Sequence, residues 1–290
     1  MTNQGKAYLY AGLAVFFWST VASAFKIALR HLDFIQLLFI ASWTSFLILF
    51  VTALFQGKAM LIIKTTPGGY ARSAMYGLLN PFLYYLVLFK AYSLLPAQVA
   101  QPLYMIWPIV LVFLSIPFLN QKIGIKSFLA LFISFSGVYL VSSMGEPFYL
   151  KINEPLGVIL AAGSSVIWSF FWIFNVRDKR DEISKLVLNF FFASLYITTI
   201  TPALSEIPLK INPGTWLAFY AGAFEMGFTF LFWLKAMKLT STTDKISNLV
   251  FLAPFFSLIV IHIFVGETIY MTTLFGLILI VSGILIEKIR

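Results

Sequence analysis

Acidic and amide side chains inside long apolar stretches are the residues of this sequence best suited to chemistry. Glu225 is the one acid near the middle of such a stretch, and Asn80 occupies the corresponding place in an earlier one. A charge at the centre of a membrane helix costs on the order of 2.5–3.5 kcal/mol, so such residues are usually functional and face the protein interior. We therefore expect Glu225 to exchange a coupling proton or to hold a positive group of a ligand. A structural hydrogen bond to a neighbouring residue is the alternative.

Aromatic residues in the middle of apolar stretches predict the wall of a binding cavity. Trp and Tyr usually concentrate at the two membrane interfaces, yet several of them here lie deeper, where indole N–H and phenol O–H groups need partners. Packing between helices is the alternative role for each of them. Together with Glu225, the predicted substrate-binding residues are Trp18, Asn80, Tyr84, Gln101, Tyr104, Trp107, Trp168, Trp172 and Asn248.

Helical spacing groups some of these residues with glycines. Gly77, Asn80 and Tyr84 would share one face of a regular helix, as would Gly222 and Glu225 of a later one. Glycine allows neighbouring membrane helices to approach closely. We therefore expect these two helices to pack tightly at the glycines and to present their polar residues to the cavity.

The sequence contains few features of an enzyme or of a metal-binding protein. The chain has no cysteine and two histidines, and it contains none of the HExxH, GxSxG, P-loop or GxGxxG motifs. We predict no catalytic residue, no metal and no cofactor. The net charge of +9 comes from basic residues scattered between apolar spans, which argues against a nucleic-acid partner.

Composition identifies an integral membrane protein. Sixty per cent of the 290 residues are apolar, 11% are charged, and the mean hydropathy is +0.93, far from a soluble domain. We predict an all-α fold with ten transmembrane helices. The spans cover residues 7–29, 34–56, 74–95, 97–118, 125–143, 155–176, 186–204, 214–238, 243–265 and 270–286.

The fourth span is unusual among these ten. Pro102, Pro108 and Pro117 each remove a backbone donor, and such positions favour kinks. Lipid offers no partner to a freed carbonyl group. We therefore expect this span to be kinked and to line an internal cavity. The alternative is a kinked packing helix whose glutamines lie at the membrane interface.

The chain contains an internal repeat. Shifting the third span by 145 positions places Gly77 on Gly222, and shifting the first by 150 places Trp18-Ser19 on Trp168-Ser169. We predict two homologous halves of five helices, residues 1–145 and 146–290. Because five is odd, the second half enters the membrane inverted, which is the architecture of secondary transporters that bind substrate near the midplane.

Basic residues predict the orientation. With a cytoplasmic N-terminus, 15 of the 20 Lys and Arg residues fall on the cytoplasmic side, as the positive-inside rule requires. Both termini would then be cytoplasmic in a multi-pass protein of the cytoplasmic (inner) membrane. Membrane lipids and a small-molecule substrate are the expected partners, a proton is the candidate coupling ion, and both a monomer and a homodimer are open.

Several short motifs resemble the drug/metabolite transporter superfamily in its EamA-type, ten-helix branch. They are Phe17-Trp18-Ser19, Ala253-Pro254, Gly266-Glu267 and Ser282-Gly283. The first half departs from the pattern, with Asn120-Gln121 in place of Gly266-Glu267. The stretches 104–108 and 167–169 are similar to those of the aromatic amino acid exporters of this branch. The resemblance implies that spans 1, 3, 4, 6, 8 and 9 line the cavity and that transport is outward.

These features together predict a secondary transporter that exports small amphipathic metabolites by alternating access. Amino acids, including aromatic ones, are the expected substrates. The alternatives are a channel-like or lipid-handling membrane protein, a carrier of the same superfamily for cationic or nucleotide-like metabolites, and, least favoured, an intramembrane enzyme.

Overall fold

The computed structural model describes residues 1–119, 125–147, 154–208, 210–240 and 248–288, and all regular structure in these ranges is helical. The predicted all-α fold class is therefore confirmed. The helices are α1 (Asn3–Ala28), α2 (Phe34–Phe55), α3 (Ala59–Ile63), α4 (Pro67–Gly77), α5 (Tyr84–Leu94), α6 (Ala97–Tyr104), α7 (Trp107–Leu119), α8 (Ile125–Ser142), α9 (Pro155–Arg177), α10 (Glu182–Leu204), α11 (Pro213–Ala221), α12 (Phe228–Leu239), α13 (Ala253–Val260) and α14 (Met271–Lys288).

The membrane spans differ in length and continuity. Within the described ranges, α1, α2, α9 and α10 are each long and apolar enough to cross a bilayer. The third and eighth predicted spans are helical but interrupted, by the wide turns Leu78–Leu83 and Gly222–Gly227. Shorter apolar helices correspond to the other spans and cover Ala97–Leu111, Phe128–Ser142, Ala253–Val265 and Met271–Ile286.

The helices pack into two compact units. Unit 1 comprises Met1–Phe82 and Arg180–Gly266, and unit 2 comprises Leu83–Lys179 and Glu267–Arg290. Each unit therefore contains helices from both predicted repeat halves. The halves themselves, 1–145 and 146–290, describe similarity within the sequence and stay a prediction.

Small residues bring the helices of unit 1 together. Ala7 and Ala11 of α1 pack against Ala236 of α12, and all three are fully buried. A Cβ atom added to Gly222 would lie 2.5 Å from the carbonyl oxygen of Ala41 on α2. Helix packing in lipid depends on such close van der Waals contact, because lipid supplies no hydrophobic driving force between helices.

Glycines play the same part in unit 2. A Cβ atom at Gly137 of α8 would lie 2.5 Å from the carbonyl oxygen of Gly276 on α14. A Cβ atom at Gly283 would lie 2.6 Å from the carbonyl oxygen of Ala130. These distances are too short for any side chain, so α8 and α14 cross in direct backbone contact.

The third span begins earlier than the sequence predicts. The predicted spans end at residue 56 and begin again at residue 74, but α3 and most of α4 lie between these positions. Pro67 occupies the first turn of α4, where a missing N–H is harmless. Thr66 caps this end, its hydroxyl oxygen accepting a hydrogen bond from the Gly69 amide at 3.2 Å.

The fourth span is interrupted, in agreement with the predicted kink. Its two helices, α6 and α7, are separated by a turn at Met105 and Ile106. Pro108 cannot donate to the carbonyl oxygen of Tyr104, four residues earlier, which explains why the regular hydrogen-bond pattern ends there.

An ion pair fixes the start of α10 outside the apolar span. The Asp181 carboxylate accepts hydrogen bonds from the Ser184 amide at 3.0 Å and from the Lys58 ammonium at 2.5 Å. Burial alone would raise the pKa of Asp181. The hydrogen bonds from Lys58 and Ser184 outweigh that effect and lower the pKa below its usual value of 3.8.

Candidate functional site

The third and eighth spans are interrupted at corresponding positions of the sequence repeat. The first wide turn, Leu78–Leu83, contains Asn80, and the second, Gly222–Gly227, contains Glu225. Wide turns inside helices are frequent at functional sites, and interrupted helices supply the binding sites of many secondary transporters. Both Asn80 and Glu225 belong to unit 1.

Local chemistry explains each interruption. Asn80 has an extended backbone, with φ −148° and ψ 123°, and the next residue, Pro81, has no N–H to continue the helix. In the second turn, Gly227 departs from helical geometry with φ −97° and ψ −91°. The hydroxyl group of Thr229 donates to the carbonyl oxygen of Phe224 beside it.

The interruption corrects one prediction and agrees with another. Gly77, Asn80 and Tyr84 do not share a continuous helix face, because the helix breaks at Asn80 and Tyr84 begins α5 in unit 2. The expected close approach at Gly77 is confirmed, since a Cβ atom there would lie 2.3 Å from the carbonyl oxygen of Asn189 on α10.

Asn189 is a candidate that sequence reasoning missed. It is fully buried and Asn80 is 1% exposed, and neither side-chain amide has a hydrogen-bond partner within the described part of the chain. Buried polar groups without partners are uncommon and costly, so both amides are candidates for contact with a polar ligand. The available signal was an isolated amide in the apolar stretch 186–193.

The remaining predicted residues of unit 1 lie on α1 and the eighth span. Glu225 is 7% exposed, so its predicted placement in the protein interior is confirmed. The ring of its neighbour Phe224 stacks on Phe17, with 4.5 Å between centroids. Trp18 is half-buried and packs on Trp233 at 5.4 Å.

Unit 2 contains an aromatic cluster centred on Trp168 of α9. The Trp168 ring lies 4.8 Å from Tyr84 and 6.5 Å from Trp107. It also lies 5.9 Å from Trp172 and 6.1 Å from Phe171. Four of the predicted binding residues are therefore neighbours, and Phe171, three positions after Trp168, is a fifth member that sequence reasoning missed.

Hydrogen bonds hold this aromatic cluster in place. The Ser169 hydroxyl lies 2.7 Å from the carbonyl oxygen of Ser165 and 3.1 Å from that of Trp107, which ties α9 to α7. The indole N–H of Trp172 is buried and has no hydrogen-bond partner among the described residues. It is a donor that a ligand could use.

Two further predicted residues lie on α6. Gln101 is 2% exposed, and its carbonyl oxygen Oε1 has no partner in the described ranges. Tyr104, one turn later, is half-buried, with its ring 6.5 Å from that of Tyr92. After the turn at Met105 and Ile106, the chain continues into Trp107 of the aromatic cluster.

The N-terminal end of α6 is held by the segment 267–270, a feature that sequence reasoning missed. The Glu267 carboxylate accepts hydrogen bonds from the amides of Ala97 at 2.7 Å and Gln98 at 3.1 Å. The Gln98 side chain in turn donates to the Thr268 carbonyl and accepts from the Tyr270 amide, both at 2.8 Å. We call these four hydrogen bonds the α6 clamp.

Asn248 cannot be placed in the site. It begins the helical turn Asn248–Leu252, but its side chain and residues 241–247 before it lie outside what the structure describes. In the described ranges, no three His, Asp or Glu side chains converge as metal ligands would. The described candidate residues offer aromatic rings for stacking, amides and an indole N–H for hydrogen bonding, and the buried carboxylate of Glu225.

Comparisons with known proteins agree with this architecture. A crystal structure covers 97% of this chain and 96% of its own chain, with a TM-score of 0.69 and 17% identity. Two Bacillus subtilis (strain 168) proteins described as uncharacterized transporters are also similar. YvbV is 26% identical over 71% of this chain and 68% of its own length. YxxF is 22% identical over 70% of this chain and 65% of its own length. The profile of the EamA-like transporter family matches residues 5–143 and 155–286. Because these two matches cover almost all of the helical spans, the chain belongs to the EamA-like transporter family.

Proposed function

We propose that this transporter is a secondary exporter of small amphipathic metabolites, chiefly amino acids and among them aromatic ones. It would work by alternating access in the cytoplasmic membrane, with both termini in the cytoplasm. The aromatic cluster around Trp168 is the observation that carries the substrate class. Outward transport and the narrower likeness to aromatic amino acid exporters rest on sequence resemblance, and the orientation rests on the distribution of Lys and Arg.

The aromatic cluster supports a substrate with a flat apolar part. Its rings meet mostly edge to face or tilted, so they offer both faces and edges to an incoming ring, and such contacts contribute about 0.5–1.5 kcal/mol beyond area burial. The buried Trp172 N–H, and the Gln101 carbonyl oxygen on α6 of the same unit, supply polar contacts. Binding sites of this kind combine apolar walls with a few placed polar groups.

Glu225 is the proposed coupling residue. It is a buried carboxylate at the interruption of the eighth span, and the equivalent position of the other half holds neutral Asn80. A buried carboxylate at this depth would carry a proton through the cycle or pair with a positive group of the substrate. Both roles are compatible with amino acid transport.

A counterflow assay in proteoliposomes tests the function. Vesicles loaded with phenylalanine or tryptophan should take up labelled substrate faster than empty vesicles. Trp168→Ala should raise the half-saturating concentration roughly 2- to 13-fold, the equivalent of about 0.5–1.5 kcal/mol. Trp216→Ala is the matched control, because Trp216 is 65% exposed, and it should transport like the wild type.

Other outcomes would assign a different function. Uptake without trans-stimulation would indicate a channel. Counterflow restricted to cationic or nucleotide-like metabolites would replace the amino acid substrate class. Equal affinities in wild type, Trp168→Ala and Trp216→Ala would show that the aromatic cluster is packing and not a binding wall.

A further inference from the structure

The α6 clamp supplies what the sequence of α6 lacks. The first turn of a helix has backbone N–H groups without intrahelical partners, and the N-cap residue of α6 is Pro96, whose side chain accepts no hydrogen bond. Glu267, which lies 170 residues after Ala97 in the chain, instead accepts hydrogen bonds from the first two amides of the helix, those of Ala97 and Gln98. Its negative charge also suits the positive end of the helix dipole.

The clamp is partly buried and reciprocal. On the α6 side Ala97 is fully buried and Gln98 is 1% exposed, whereas Glu267 is half-buried, so water has limited access to the two amides that Glu267 holds. Gln98 closes the clamp from the other side by bonding to both the Thr268 carbonyl and the Tyr270 amide. Hydrogen bonds to an ionised group in such surroundings are roughly twice as strong as neutral ones.

The segment that holds α6 is itself fixed. Thr272, in the first turn of α14, accepts a hydrogen bond from the Gly145 amide at 2.9 Å, which ties the end of α8 to the start of α14. Tyr270 contacts the same glycine, since a Cβ atom there would lie 3.2 Å from its ring. The clamp therefore connects α6 to the α8 and α14 pair and not to a free loop.

Two candidate binding residues depend on where α6 lies. Gln101 and Tyr104 follow Gln98 by three and six positions, or about 4.5 and 9 Å along a helix that rises about 1.5 Å per residue. A shift of the N-terminal end of α6 would displace Gln101 first and Tyr104 less. Even a displacement of about 1 Å can impair a site strongly.

We infer that Glu267 is a positioning residue for substrate binding. It holds the start of α6 so that Gln101 and Tyr104 present their polar groups to the substrate, without touching the substrate itself. This inference rests on the proposed function in so far as those two residues contact the substrate. On this inference, Glu267 of the Gly266-Glu267 motif determines the affinity of the transporter for its substrate.

The test compares three variants by hydrogen exchange and by counterflow. Glu267→Ala should speed exchange at the amides of Ala97 and Gln98 at least tenfold and raise the half-saturating substrate concentration about 3- to 30-fold, with the maximal rate within twofold of wild type. Glu267→Gln keeps one acceptor oxygen and should restore part of both. Glu206→Ala is the control, because Glu206 is an exposed loop acid, and it should change neither.

The outcomes separate the two proposals. If both Glu267 variants show faster hydrogen exchange but bind substrate with unchanged affinity, the clamp is purely structural. That result would overturn the inference and leave the proposed function intact. If amino acids give no counterflow with wild type, the proposed substrate class is wrong, and the same affinity comparison is made with the metabolite that does. Unchanged hydrogen exchange at the amides of Ala97 and Gln98 in Glu267→Ala would show that Glu267 does not hold the start of α6, and it would also overturn the inference. If Glu267→Ala does not fold, Glu267→Gln alone decides, with intermediate values of both measurements expected.

Discussion

Replacing Gly77 by alanine should push α4 away from α10. The added Cβ would lie 2.3 Å from the carbonyl oxygen of Asn189 and 3.2 Å from its carbonyl carbon, whereas optimal contact between carbon atoms is about 3.5–4.0 Å. Both atoms are backbone, so the two helices must separate by about 1 Å. Overpacking of this kind costs about 1–3 kcal/mol, and the higher helix propensity of alanine offsets at most about 1 kcal/mol. The steric cost wins, and we expect a net loss of about 1–2 kcal/mol.

Thermal unfolding of the purified protein in detergent measures this loss. Gly77→Ala should lower the Tm by about 2–8 °C, at about 2–4 °C per kcal/mol for a protein of this size class. Gly12→Ala is the matched control, because Gly12 lies on an exposed face of α1 with no atom within 4 Å of the added Cβ, and it should unfold at or slightly above the wild-type temperature. Equal Tm values for the two variants would refute the close contact at Gly77.

Three further predictions concern coupling, pH and topology. If Glu225 carries the proton, Glu225→Gln should still exchange substrate across the membrane but should no longer accumulate it in response to a pH gradient. If Glu225 is a counter-ion, the variant should lose substrate binding at every pH. Transport with normal pH dependence would make Glu225 structural. Since the folded-state pKa of Asp181 lies below 3.8, its ion pair stabilises the fold above that pH and is lost as the pH falls further. The stability difference between wild type and Asp181→Asn should therefore be present at about pH 6 and shrink progressively as the pH falls below 3.8, and a difference that stays constant in acid would contradict the ion pair. Cysteines at Lys122 or Lys179 in this cysteine-free chain should resist an impermeant thiol reagent applied to intact cells, and labelling from outside would invert the topology.

Contacts that depend on one regular helix could be predicted from the sequence. Trp168 and Trp172 are four positions apart on α9, and their rings meet as helical spacing requires. The close packing at Gly77 and Gly222 was also predictable, because the two glycines occupy matching positions of the repeat and glycine allows neighbouring membrane helices to approach closely.

The break at Asn80 lies beyond the reach of such reasoning. Pro81 indicates a kink, but it does not say whether the preceding residue stays helical or becomes extended. Helical spacing therefore predicts a face shared by Gly77, Asn80 and Tyr84. The helix stops at Asn80, so Tyr84 does not share that face.

Partners distant in sequence are hidden for a different reason. The carboxylate of Glu267 meets α6 across 170 residues, and no local pattern records that pairing. Asn189 was overlooked because a single amide in an apolar stretch can equally well satisfy itself within its own helix region. Its significance depends on the facing Gly77 and on the break that follows.

The interleaving of the two units has a consequence for biosynthesis. Chains emerge from the ribosome N-terminus first, and compact units fold as wholes. Unit 1 draws on Met1–Phe82 but also on Arg180–Gly266, and unit 2 is completed only by Glu267–Arg290. The early spans therefore lie in the bilayer without all of their packing partners until the ninth and tenth spans have been synthesised. A fragment ending at residue 145 would contain parts of both units and complete neither.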